Sequence, residues 1–286
     1  MNARPVNFFK RNITNVVAAS LYRGALALLL PGSQRSRRRG TVATALLAAT
    51  LGAVGPSLAI AGVININPSK DNTLYEYVPA DGDRSNALGL HFFTGETGMG
   101  EVRRGVLAFD ISAHIPPGSI ITGVTLTLNM SMTPSANLRT TELHKLLADW
   151  GEGTSQASGG EGSGAPATTN DATWRHRFFD TVFWTTEGGD FSDVVSASQS
   201  VGAVGLYTWS SPQMVVDVQS WLDNPATNFG WLVLGDETAI GTAKRFDTRE
   251  SADPPVLTIQ YITARPRPTP RPRPTPPLQE ATATGE

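Results

Sequence analysis

The segment "WRHRFFDTVFW" (174–184) gathers the side chains best suited to chemistry in this sequence. Trp174 and Trp184 bracket Arg175, His176 and Arg177. Indole faces stack on the apolar faces of sugar rings, and guanidinium groups give directional hydrogen bonds to hydroxyls or carboxylates. A third tryptophan, Trp150 in "ADWGEG", stands between Asp149 and Glu152. Trp150, Trp174, Trp184 and Arg175 with Arg177 are therefore the candidate carbohydrate-binding residues. Each tryptophan can equally be a lid on the core, because tryptophan is often only partly buried. Trp221 and Trp231 fall within regular apolar patterns and read as core.

Bond-breaking chemistry finds less support. No G-x-S-x-G and no H-E-x-x-H occurs. The histidines at 91, 114, 144 and 176 are scattered singly, which suits surface or packing roles. Asp149 and Glu152 are the best candidates for the two carboxylates that glycoside hydrolysis needs, but acidic loop residues are common and the spacing fixes no separation. No catalytic residue is assigned. For a metal, "DGDRSN" (81–86) places Asp81 and Asp83 at alternate positions, with Asp71 near in sequence. Hard oxygen ligands suit a structural calcium. The ordinary alternative is a solvated acidic turn, since Asp, Gly, Ser and Asn are turn formers.

The elements that must position these residues are strands. "IITGVTLTLNM" (120–130) puts Ile120, Val124, Leu126, Leu128 and Met130 on one face and threonines on the other. "VRRGVLAFDIS" (102–112) aligns Leu107, Phe109 and Ile111, and "AHIPPGS" turns the chain between the two. "TELHKLL" (141–147) reads as a strand, although its apolar pattern also allows a helix. "MVVDVQSWLDNP" (214–225) changes period: Val218, Trp221 and Leu222 share a helical face, Asp217 is the expected cap and Pro225 the stop. "NFGWLVLGDE" (228–237) and "VLTIQY" (256–261) return to strand. Residues 151–170 are a Gly/Ser/Ala loop with too little apolar surface to order itself. Strand follows strand at short spacing, so the fold class is all-β, an antiparallel sandwich with one short helix.

Charge divides the chain. Residues 1–61 hold eight Lys or Arg and no Asp or Glu; the remainder holds 15 basic against 25 acidic residues. An acidic body argues against a nucleic-acid partner, because phosphate binding needs a positive surface. "SQRSRRRG" (33–40), an uncharged apolar run to residue 61, and Ala59-Ile60-Ala61 read as a secretory signal removed after Ala61. Ser36-Arg37-Arg38 is a partial twin-arginine match, with Gly40 where a large apolar residue is usual. Three segments follow: 1–61, export signal; 62–263, sandwich; 264–286, a Pro/Arg-rich tail whose prolines forbid helix and ladder pairing. No membrane span is expected in the mature chain. Cysteine is absent, so an exported chain must rely on core burial or a bound ion rather than on disulfides.

The blocks "INPSKDNTLYEY", "RRGVLAFDISAHIPPGSIITGVTLTL", "ADWGEG", "DATWRHR", "MVVDVQSWLDNPATNFGWLVLGDE" and "KRFDTRESADPPVLTIQY" resemble, in that order, the DNRLRE or disaggregatase-related domain. That domain is related to carbohydrate-binding module family 96. The resemblance covers residues 63–261 and implies a jelly-roll-like β-sandwich of secreted proteins, some of which bind polysaccharide beside a separate catalytic domain. No catalytic domain accompanies the module here. The expected function is a secreted, non-enzymatic module that binds polysaccharide. A structural or adhesive surface protein and a polysaccharide lyase or hydrolase are the alternatives. In the resembling family, the pair corresponding to Arg249-Glu250 lies just before the last strand. It is expected to be scaffolding, with a carboxylate facing Arg249 and with Arg103 or Arg104 facing Glu250.

Overall fold

A computed structural model describes residues 59–264. The expected tail apart from Ala264, and the expected signal apart from its last three residues, lie outside them. Strands β1 (Ala59–Ile66), β2 (Lys70–Tyr75), β3 (Arg84–Ser85), β4 (His91–Glu96), β5 (Val102–Ala108), β6 (Ile120–Met132) and β7 (Arg139–Leu146) form the first half. Then come β8 (Ala165–Pro166), β9 (His176–Phe178), β10 (Val182–Phe183), β11 (Phe191–Val201), β12 (Gly205–Trp209) and helix α1 (Pro212–Asp223). A 3-10 turn at Pro225–Thr227, β13 (Trp231–Leu234), β14 (Lys244–Asp247) and β15 (Val256–Ala264) complete the described residues.

All strand pairing is antiparallel. One layer runs β1-β15-β6-β14-β4, with β12 also on β6; the other holds β5, β13, β7 and β11, with β2 on β5. Strand β4 pairs with both β14 and β5, so the sheet curls from one layer into the other. The layers enclose a core that includes Leu126, Leu128, Phe92, Phe109 and Trp231, and α1 lends it Trp221. The described residues form an all-β sandwich with one helix. β1 begins before the expected cut: Ala59, Ile60 and Ala61 pair with Ala264, Thr263 and Ile262. Cleavage after Ala61 would leave Gly62–Ile66 to hold the strand.

A second core lies on the outer face of the second layer. Successive strand residues face opposite ways, so Leu107 enters the first core while Val106 and Ala108 enter the second; Trp231 and Val233 divide from Leu232 in the same way. Residues 147–190 cover this outer face, and their two ends meet where the Leu147 N–H donates to the Asp190 carbonyl at 2.9 Å. Gly230 makes the entry to β13 workable. Its φ is +81°, and a Cβ there would sit 1.9 Å from the Leu107 oxygen.

Three features differ from the expectations. The β6–β15 register slips between Gln260 and Tyr261, opposite Ile121 and Gly123. That bulge turns Ile120 outward and Ile121 into the core, because one extra residue flips the facing of a strand. Helix α1 is capped by Ser211, whose hydroxyl accepts the Met214 N–H, and not by Asp217. Asp217 is a buried mid-helix acceptor for Ser196, Gln213 and the Trp231 indole N–H. The strand expected at 141–147 is there as β7, which runs Arg139–Leu146. Residues 151–170 are ordered by polar rather than apolar contacts. Buried Glu161 accepts from Asn86 Nδ2 and from the N–H groups of Leu90 and His91, and Ser155 Oγ accepts from the Ala87 N–H. The β3–β8 pairing adds a short ladder there.

Candidate functional site

The cover carries most of the candidate ligand residues, and its hairpin β9–β10 decides how they face. Trp184 is 5% exposed, with its indole N–H donated to the Thr173 carbonyl at 2.9 Å. Trp150 is 1% exposed, with its N–H on the Phe229 carbonyl at 2.9 Å and the Lys70 ammonium 4.3 Å from its ring. Both belong to the second core, so both are lids. Trp174 is half-buried beneath Arg104, whose guanidinium lies 4.8 Å from the ring.

The polar members are held just as firmly. Arg175 pairs with Asp83 and stacks 3.6 Å from the Tyr77 ring. Asp83 also accepts the Thr173 hydroxyl at 3.0 Å and faces His176 Nδ1 at 3.3 Å. Burial alone would raise the Asp83 carboxyl, but the hydrogen bonds from Arg175 and Thr173 outweigh it and hold it below the ordinary range. Arg177 donates to the Asp149 carbonyl at 3.1 Å. The aromatic side chain that the hairpin presents to solvent is Phe183, 60% exposed, its ring 4.2 Å from that of His176. Phe183 was not singled out in the sequence, and no alternation marks it, because Val182 and Phe183 are both exposed beside the buried Trp184.

The calcium candidates are not brought together. Asp81 is exposed near Arg84, Asp83 is neutralised by Arg175, and Asp71 is fully buried with its Oδ2 accepting the Arg249 N–H at 2.9 Å. Among the described residues no group of three His, Cys, Asp or Glu is placed to hold a metal.

Arg249 and Glu250 instead join Asp71 and Glu152. Arg249 Nη2 donates to Glu152 Oε2 at 2.5 Å, and Arg249 Nε lies 2.8 Å from Glu250 Oε1 without hydrogen-bond alignment. Glu152 Oε1 accepts the Asp71 N–H at 2.8 Å. Neither Arg103 nor Arg104 reaches Glu250: Arg103 pairs with Glu101, and Arg104 holds Glu237 by two parallel bonds of 2.8 and 2.9 Å. Burial pushes the Asp71 carboxyl well up, with Glu250 and Glu152 adding repulsion. Burial pushes Glu152 up to about 7 and raises Glu250 as well, with Arg249 opposing in both. Asp149 is tied to the Lys70 ammonium at 2.9 Å. Both oxygens of Glu152 are committed to anchoring the cover, which is the geometry of a fastening rather than of a free acid or base.

A groove of about 440 Å³ opens beside β7 and the end of β13, lined by Thr140, Glu142, Leu234, Gly235, Asp236, Glu237 and Thr238. Glu237 links it through Arg104 to Trp174. No protein-family model matches the chain, and a search of curated proteins returned no match. Among the described residues no helix is long and apolar enough to cross a membrane.

Proposed function

We propose that the chain is a secreted, non-enzymatic β-sandwich that binds polysaccharide through the face of the cover bearing the β9–β10 hairpin. The observation that carries this reading is Phe183, a large aromatic ring held in solvent on a fixed support. The His176 ring backs it at 4.2 Å, and Asp83 faces His176 in turn. Stacking a sugar on about 50 Å² of that ring contributes about 1 kcal/mol at ~25 cal/mol per Å². Arg177 on the same hairpin, with one guanidinium nitrogen on the Asp149 carbonyl, supplies further directional donors for hydroxyls. The resemblance to the DNRLRE domain is in line with this reading, with Phe183 taking the stacking role in place of Trp174 and Trp184.

A glycan array probed with the full chain tests it. Phe183→Ala and Arg177→Ala each weaken binding several-fold while circular dichroism is unchanged, and Glu152→Gln leaves the ligand profile intact. Undiminished binding in both hairpin variants would overturn the assignment. Turnover of a polysaccharide that disappears in Glu152→Gln would replace it with the enzyme reading.

A further inference from the structure

Three segments distant in sequence meet at Arg249, Asp71 on its backbone N–H and the two glutamates on its guanidinium. Asp71 comes from β2, Glu152 from the cover, and Arg249 with Glu250 from the turn between β14 and β15. The other charges alongside are Lys70 and Asp149, which pair with one another. With every carboxyl ionised, Asp71, Glu152 and Glu250 place three negative charges against the single positive charge of Arg249. The centre is only partly open to water: Asp71 is fully buried, while the Glu152, Glu250 and Arg249 side chains are 13%, 22% and 31% exposed. Two acceptors, Asp71 Oδ1 and Glu250 Oε2, are buried with no hydrogen-bond donor, and a buried polar atom without a partner is rare in a folded protein. A carboxylic acid supplies what is missing, since its proton removes one negative charge and turns an orphan acceptor into a donor.

We propose that the Asp71–Glu152–Glu250–Arg249 centre is a proton-dependent latch: at neutral pH the folded protein keeps at least one of these carboxyls protonated, and the fastening of the cover to the sandwich weakens as that proton leaves. The inference does not depend on what the hairpin binds. Its direction follows from the raised carboxyls. Between the ordinary carboxylate range and about pH 7 the folded chain holds a proton that the unfolded chain has lost. Stability is therefore full below that range and falls as pH rises through it.

Two measurements on the full chain decide the matter. Infrared spectra of the folded protein at pH 7 show a protonated-carboxyl carbonyl stretch, and it disappears in Asp71→Asn or in Glu152→Gln. Urea unfolding followed from pH 5 to 9 shows the unfolding constant rising by up to tenfold per pH unit over part of that span, as loss of one proton requires. The rise flattens in whichever of Asp71→Asn, Glu152→Gln and Glu250→Gln removes the proton site. Absence of the protonated-carboxyl band in the wild type at pH 7 overturns the proposal even if every variant fails to fold. So does a pH dependence equally steep in all three variants. Stabilisation by added calcium with loss of the protonated band would assign the centre to a cation and likewise overturn it.

Discussion

Replacing Arg249 with methionine keeps most of the side-chain stem and removes the charge that holds the latch together. In the wild type the guanidinium contacts Glu152 at 2.5 Å and Glu250 at 2.8 Å, with side-chain exposures of 31%, 13% and 22% for the three residues. Breaking a fully buried ion pair costs about 3–5 kcal/mol, because the abandoned charge has no partner. A solvent-exposed pair is worth about 0–1 kcal/mol. Arg249 lies between these limits, so at pH 8, with Glu152 ionised, the loss is about 2–3 kcal/mol. At pH 5 most of the Glu152 carboxyl is already neutral, since burial holds it up to about 7. The penalty there shrinks to about 1 kcal/mol, the share owed to lost hydrogen bonds. Urea denaturation of both proteins at the two pH values, with comparable m-values, gives the comparison. A penalty equal at the two pH values, or larger at pH 5, would refute the reasoning.

Glu250→Gln behaves in the opposite sense: it removes one carboxylate from an over-subscribed guanidinium. The variant stays close to wild type in thermal denaturation at pH 5 and melts higher than wild type at pH 8; a lower melting point at pH 8 counts against the arrangement. Asp217→Ala leaves the buried Trp231 indole N–H, 3.0 Å from Asp217 Oδ2 in the wild type, without an acceptor. It destabilises by about 1–3 kcal/mol, while Asp217→Asn, which keeps an acceptor oxygen, loses less. Equal losses in the two Asp217 variants in urea denaturation would show that packing and not hydrogen bonding fixes that residue.

The sandwich was legible because its strands alternate. Val124, Leu126, Leu128 and Met130 face the core as their spacing requires. The one residue of that strand that defied the pattern, Ile120, lies beyond a bulge whose only trace in the sequence is Gly123. A glycine in a strand admits several explanations, so facing beyond it cannot be counted by twos. The second core left a plainer sign. Val106-Leu107-Ala108-Phe109 and Trp231–Leu234 are unbroken apolar runs, the mark of strands covered on both faces, and they implied that something had to lie over the second layer.

What lay over it could not be read, because the cover is ordered by acceptors reaching across the chain. Glu152 meets Asp71 at a separation of 81 residues and Arg249 at 97, and Arg249 meets Asp71 at 178. Local composition says only that residues 151–170 are poor in apolar surface, and from that the absence of order is the natural inference. The inference fails because a buried carboxylate can gather several N–H groups at once, as Glu161 does with two backbone N–H groups and the Asn86 side-chain amide. Such a loop is fastened by a few acids rather than by a buried stripe. The same logic sorts the aromatics. An indole buried as a lid needs an acceptor for its N–H, and Trp150 and Trp184 each find a backbone carbonyl. A phenyl ring makes no such demand. Phe183 can therefore stand in solvent on His176 with no polar atom to satisfy, which leaves its face free for a ligand.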